Sequence, residues 1–165
     1  MAPKQKPGLS KQDYSTPPEF VSAVKGLLII DNFSVDLAAS MTNFVCPVFY
    51  DEQADALADK NPWTVDGWGW LNPPFAHIEP WVRKAYYESQ NGAKIAMLVP
   101  ASVGANWWLK WVHMKATVIF LIGRLTFVGH KDPYPKDCAL LLYDEKDSHG
   151  IAPFYTVWSW RKKDV

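Results

Sequence analysis

The residues with the most specific chemical potential in this sequence are four in a row: Asn72, Pro73, Pro74 and Phe75. They follow the apolar run Gly67-Trp68-Gly69-Trp70-Leu71 and precede a helical pattern. Neither proline has an N–H to give to a strand ladder, so a strand reaching Asn72 has to stop there. Proline fixes its own φ and drives the residue before it to extended conformations. The side-chain carbonyl of Asn72 and the backbone carbonyl of Pro73 are thereby held at nearly fixed positions. Two acceptors side by side suit a group with two N–H donors, such as the exocyclic amino group of a nucleobase. The ring of Phe75 offers such a base a flat face to stack on. The plainer reading of the same four residues is a turn that ends a strand ahead of a helix.

Hydrophobic periodicity places this turn within a series of elements. Apolar residues at 20, 21, 24, 27 and 28 have helical spacing, with Thr16 a candidate N-cap and proline at the first helical position. Residues 33–40 read as a short strand ending at Asp36 or Leu37, followed by a turn of small residues, and 46–50 as a second strand closed by Asp51-Glu52. A strand over 67–71 leads to Asn72. A helix over 77–92 has Pro80 in its first turn and Gly92 as its stop. Residues 94–99 form an apolar strand, 104–115 a helix and 116–123 a further strand. Residues 124–129 and 137–144 read as an antiparallel hairpin, and 154–160 as a last strand. Strands alternating with helices predict an α/β sandwich with a mostly parallel sheet, in which ligands sit beyond the carboxyl ends of the strands. Asp36, Asp51-Glu52 and Asn72 all fall at such ends.

The 165 residues, 48% of them hydrophobic, are enough for one domain with a core that needs no disulfide or structural metal. Residues 1–12 read as a mobile tail ahead of a single domain over 13–165. The net charge is zero, so no global field draws the chain to nucleic acid, and any such contact depends on a local cleft. Cys46 and Cys138 are far apart with apolar or small neighbours and read as buried thiols. No metal site is expected. No run approaches a membrane span and the basic N-terminus lacks an apolar core, which favours the cytoplasm. Trp63, Trp68, Trp70 and Phe75 stand beside turn residues, where rings serve either stacking on a ligand or an aromatic-rich core.

Asn72-Pro73-Pro74-Phe75 resembles the (Asp/Asn/Ser)-Pro-Pro-(Tyr/Phe) motif of amino-group methyltransferases that use S-adenosylmethionine. Segments 13–24, 33–57, 67–85, 93–102 and 123–143 occur in the order seen in phage-type DNA N6-adenine methyltransferases (Dam). The resemblance implies a Rossmann-like methyltransferase fold with a C-terminal antiparallel hairpin. It implies that the target adenine of double-stranded DNA is flipped out of the duplex. Asn72 and the Pro73 carbonyl would accept hydrogen bonds from its amino group, with Pro74 holding the turn and Phe75 stacking on the base. The methionine end of S-adenosylmethionine would lie at Asp36-Leu37-Ala38-Ala39-Ser40, which stands where such folds usually carry a glycine-rich loop, with Asp36 facing the ammonium group. Asp51 or Glu52 would face the ribose and Asp55 the cofactor's adenine, and Thr16-Pro17 would close over the cofactor. A monomer or weak dimer is expected. The same fold and cofactor acting on RNA adenine or a glutamine amide is an alternative, and an inactive nucleic-acid-binding module a further one.

No insertion is long enough for a separate recognition domain, so DNA contacts fall to residues 101–108, 130–136 and Arg161-Lys162-Lys163. His77 has no Ser or Cys partner at a recognisable spacing, and it reads as a surface or packed histidine at a helix start.

Overall fold

The computed structural model describes residues 14–145 and 153–161. The expected tail over 1–12 and the basic residues Lys162 and Lys163 lie outside that range. The helices are α1 (Pro18–Leu28), α2 (Glu79–Gln90) and α3 (Asn106–Trp111), with a 3-10 turn over Phe75–His77. The strands are β1 (Val35–Asp36), β2 (Trp68–Leu71), β3 (Lys94–Pro100), β4 (Thr117–Leu121), β5 (Cys138–Tyr143) and β6 (Tyr155–Trp158). One six-stranded sheet has the order β1-β2-β3-β5-β4-β6. β1, β2 and β3 pair in parallel, as do β4 and β6, and β5 runs against both β3 and β4.

β3 shows why the sheet has two covered faces. Ile95, Met97 and Val99 join a cluster with Val82 and Ala85 of α2 and Trp108 of α3. Ala96 and Leu98 join Phe20, Val21 and Val24 of α1 on the other side. A strand buried on both faces has no polar side to show, which explains the unbroken apolar run over 95–99.

Several expectations change in three dimensions. The strand predicted over 33–40 is two residues long, and 46–50 contributes a single parallel bridge, Asp36 to Phe49. The hairpin of 124–129 with 138–143 does not form. β5 instead pairs with β3 on one side and β4 on the other, a choice set by long-range contacts. The chain turns with positive φ at Gly123 and Gly129, and Leu125 and Phe127 bury into the α1-side core. Their backbone is used elsewhere: Val128 N–H donates to the Ser15 carbonyl and Tyr134 N–H to the Leu125 carbonyl. Thr16 is not the N-cap of α1; that position is Pro17, whose ring has no acceptor to offer, and the Thr16 hydroxyl accepts from Asn72 Nδ2 instead. Trp63, Trp68 and Trp70 are core residues rather than stacking platforms. Cys46 and Cys138 are buried free thiols, and burial pushes Cys138 up to about 12. Among the described residues no helix is long and apolar enough to cross a membrane, and no group of three or more His, Cys, Asp or Glu is placed to hold a metal.

Candidate active site

Parallel pairing brings the polar strand ends into one row. Asp36 is paired with Trp70, two residues before Asn72, and Leu37 N–H donates to the Trp70 carbonyl. On its other side Asp36 bridges Phe49, and Tyr50 N–H donates to the Asp36 carbonyl just before Asp51. Asp51, Asp36 and Asn72 therefore stand at or just past the carboxyl ends of three neighbouring chain segments. No local sequence signal specifies that neighbourhood.

The side chain of Asn72 is held by the segment ahead of α1. Its Nδ2 donates to the Tyr14 carbonyl at 2.7 Å and to the Thr16 hydroxyl at 2.9 Å. A carbonyl can only accept, so the amino end of the amide has to face Tyr14. The carbonyl oxygen Oδ1 is left buried with no hydrogen-bond partner among the described residues. Such an acceptor costs on the order of 1–3 kcal/mol to keep, and it marks the place where a donor belongs. Pro73 is buried behind it.

Phe75 is half-buried in a cluster of rings. It meets Tyr134 edge-on with centroids 5.5 Å apart, Phe127 edge-on at 6.3 Å and Tyr14 at 6.2 Å. Tyr14 also packs on His130 at 5.3 Å. A cleft of about 200 Å³ opens beside the cluster, lined by Tyr14, Phe127, His130, Lys131 and Tyr134. Burial pushes the Tyr134 hydroxyl up to about 12, so it is a neutral donor at physiological pH. Ala76 and His77 are exposed on the 3-10 turn.

Asp36 is buried, and its two carboxylate oxygens organise the following loop: Oδ1 accepts from Ala38 N–H at 3.2 Å and Oδ2 from Val45 N–H at 3.0 Å. Burial nonetheless pushes its carboxyl up to about 6, against the pull of those two bonds. No helix follows it, so it caps nothing. Ala38, Ala39 and Ser40 are half-buried beside it, with Ser40 and Asn43 exchanging backbone bonds.

The loop after Asp51 is pinned from below by α2. Lys84 Nζ donates to the carbonyls of Ala56, Ala58 and Asn61, each at 2.8 Å, and lies over the Trp63 ring at 5.3 Å. Trp63 Nε1 donates to the Ala56 carbonyl, and its backbone N–H donates to Glu88 Oε2. Within this loop Asp51 Oδ1 accepts from Ala54 N–H and Asp55 Oδ1 from Leu57 N–H, with Asp55 at a positive φ. Glu52 and Asp55 are exposed.

The family model described as DNA N-6-adenine-methyltransferase (Dam) matches residues 5–146 of this chain. The chain belongs to the Dam family. It is also 31% identical over 113 residues to the DNA N-6-adenine-methyltransferase of Escherichia phage T1, an alignment covering 68% of this chain and 46% of that protein. The chain thus spans about half the length of this curated relative. No solved structure matches it.

Within this Dam-family chain, Asn72 bonds to Thr16, and Asp36 and the turn that begins at Asp51 follow on the neighbouring strand ends. Sequence reasoning missed the roles of Tyr14, Phe127, Tyr134 (met only as part of the 130–136 loop) and Lys84. The first three are aromatic residues in segments poor in regular structure, which is a weak signal. Lys84 carries none, since a lysine on a helix surface pattern reads as solvated.

Proposed function

We propose that this chain transfers a methyl group from S-adenosylmethionine to the N6 amino group of adenine in double-stranded DNA, with the target base flipped out. The observation that carries the reading is the buried, unpartnered Oδ1 of Asn72, in a chain of the Dam family. The domain reads as a Rossmann-like methyltransferase over 13–165, a monomer or weak dimer.

Asn72 Oδ1 and the Pro73 carbonyl accept the two N–H bonds of the adenine amino group. That draws the nitrogen lone pair out of conjugation with the ring, so the nitrogen becomes the nucleophile. S-adenosylmethionine, when bound, would supply the electrophilic methyl group, its carbon–sulfur bond breaking as the nitrogen–carbon bond forms, with the neutral thioether as leaving group and one amino proton passing to solvent. No covalent bond to the protein is needed; the protein contributes position and fixed dipoles. Phe75 provides the stacking ring, and Tyr14, Phe127 and Tyr134 frame the same seat. Asp36 fits the cofactor's ammonium group: a carboxyl lifted by burial gains most from a cation. Ala38, Ala39 and Ser40 pass close to the same end, and Thr16 and Pro17 border it. Glu52 and Asp55 sit on the loop that would meet the ribose and adenine of the cofactor.

The Asp36 carboxyl gives this reading a pH dependence. Its folded value near 6 lies above its ordinary 3.8, so the native protein binds the extra proton between the two. In the unliganded protein the resulting stability is present below about pH 4 and lost as pH rises through about 6. A cation in the site favours the ionised form, so cofactor affinity rises about tenfold between about pH 5 and pH 7. Calorimetric titration across that range checks it, and Asp36→Asn flattens the curve.

DNA contacts are assigned to the rim beyond β3 and β4. Two of the loops expected to touch DNA, 101–108 and 130–136, meet there in a cleft of about 670 Å³ lined by Ser102, Val103, Arg124, Pro135 and Lys136. Pro135 also borders the aromatic cleft. Arg161 reaches the same rim, donating from Nη2 to the Arg124 carbonyl. Reversing Arg124 and Lys136 to glutamate raises the KM for DNA at least about tenfold and lowers the salt slope of binding by about two. KM for the cofactor stays unchanged, and steady-state kinetics at several salt concentrations separate the two.

The test of the whole reading is incubation with tritiated S-adenosylmethionine and, in parallel, unmethylated duplex DNA, RNA or protein, followed by digestion to nucleosides or amino acids. Label in N6-methyldeoxyadenosine is expected. Label found only in RNA or in protein glutamine would replace the acceptor, and no label on any of them would overturn the assignment.

A further inference from the structure

Thr16 stands immediately before two prolines whose fixed φ leads straight into α1. Its backbone neighbour Ser15 is tied down by Val128 N–H at 3.0 Å, and the Tyr14 ring is packed among Phe75, Phe127 and Tyr134. The segment 14–17 is therefore a strap with little freedom, and Asn72 Nδ2 places its two bonds on that strap. The two ends of an asparagine amide are nearly the same shape but opposite in hydrogen bonding. Turning it over would set Oδ1 against the Tyr14 carbonyl, acceptor on acceptor. The Tyr14 carbonyl thus decides which end faces the strap. One bond, however, leaves the amide plane to swing about the terminal torsion, which for Asn is broad. The bond to the Thr16 hydroxyl engages the second hydrogen and fixes the plane.

We infer that Thr16 is a positioning residue for methyl transfer: its hydroxyl, with the Tyr14 carbonyl, aims the Asn72 carbonyl oxygen at the amino group to be methylated. This rests on the proposed function and goes beyond cofactor closure. It couples the strap to the acceptor side of the reaction, so the segment bordering the cofactor also sets the geometry that receives the base.

Two readouts test it. The first is the side-chain amide pair of Asn72 in a ¹⁵N–¹H spectrum, assigned by its absence in Asn72→Asp. In the wild type both amide protons are protected. In Thr16→Val the pair shifts and exchanges at least about tenfold faster, and in Thr16→Ser it returns. The second is steady-state kinetics on duplex DNA. Thr16→Val lowers kcat by about 5- to 50-fold, leaves the KM values for DNA and S-adenosylmethionine within about threefold, and Thr16→Ser restores kcat. Melting curves establish that each variant is folded; if Thr16→Val is not, Thr16→Ala takes its place. Amide signals unmoved in Thr16→Val would overturn the inference, whatever the activity. So would moved signals with a wild-type kcat, or a raised KM for S-adenosylmethionine with kcat unchanged, which would make Thr16 a cofactor contact alone. A wild-type protein that methylates no DNA adenine yet shows the protected amide pair would sink the proposed function separately, leaving the clamp itself established.

Discussion

Replacing Asn72 with alanine lowers kcat on duplex DNA by about 100- to 1,000-fold, the scale of losing one aimed dipole in a water-poor site. The buried Oδ1 has no partner among the described residues, so in the proposed reaction the substitution removes a bond made with the substrate. Cofactor affinity stays within about threefold, because Asn72 bonds only to the strap. Asn72→Asp is the sharper case. The motif that Asn72 resembles accepts aspartate, yet here the 2.7 Å bond to Tyr14 would become a contact between two acceptor oxygens. Thr16 can rotate its hydroxyl to donate, whereas a backbone carbonyl has nothing to donate. The aspartate variant is therefore expected to be nearly as slow as alanine at neutral pH. It regains activity as pH falls, when the protonated carboxyl can donate to Tyr14 and present its carbonyl oxygen to the substrate. A pH profile of kcat for the three proteins reads this directly. An aspartate variant with wild-type kcat at neutral pH would show that the strap does not discriminate.

Lys84→Met is expected to destabilise the protein by about 2–4 kcal/mol, since three part-buried carbonyls lose their shared donor at once and each hydrogen bond contributes about 0.5–1.5 kcal/mol net. For a chain of this size that lowers Tm by roughly 5–15 °C. The carbonyls of Ala56, Ala58 and Asn61 converge on one point, and only a compact ammonium with three donors reaches all of them. Lys84→Arg is therefore not conservative: a planar guanidinium cannot aim at three convergent oxygens. The functional consequence falls on the loop that carries Glu52 and Asp55, so KM for S-adenosylmethionine rises in both variants more than kcat falls. Thermal melts and a cofactor titration check the pair of effects. A Lys84→Arg protein that melts and binds like the wild type would mean the loop holds its shape without this latch.

The sequence by itself determined a good deal, wherever the physics is local. Two prolines end a strand whatever surrounds them, so the turn at Asn72 was legible. So were α1 and α2, whose apolar spacing is copied by Phe20, Val21 and Val24 and by Ile78, Val82 and Ala85 in the buried set. The apolar run of β3 announced a strand covered on both faces, and the ordered motifs announced the family. Tertiary structure decided what depends on partners distant in the chain. Strand pairing is such a case: β5 reads equally well as the partner of 124–129, and only packing places it between β3 and β4. The buried tryptophans are another, because a ring beside a turn serves core or ligand alike until the core is assembled. The site itself is the clearest. Thr16 reads as a helix cap and Lys84 as a solvated cation, since capping and solvation are what those residues do with only neighbours for company. Their bonds to Asn72 and to the 56–61 carbonyls span 56 and 23 to 28 positions of sequence, beyond the reach of any local rule.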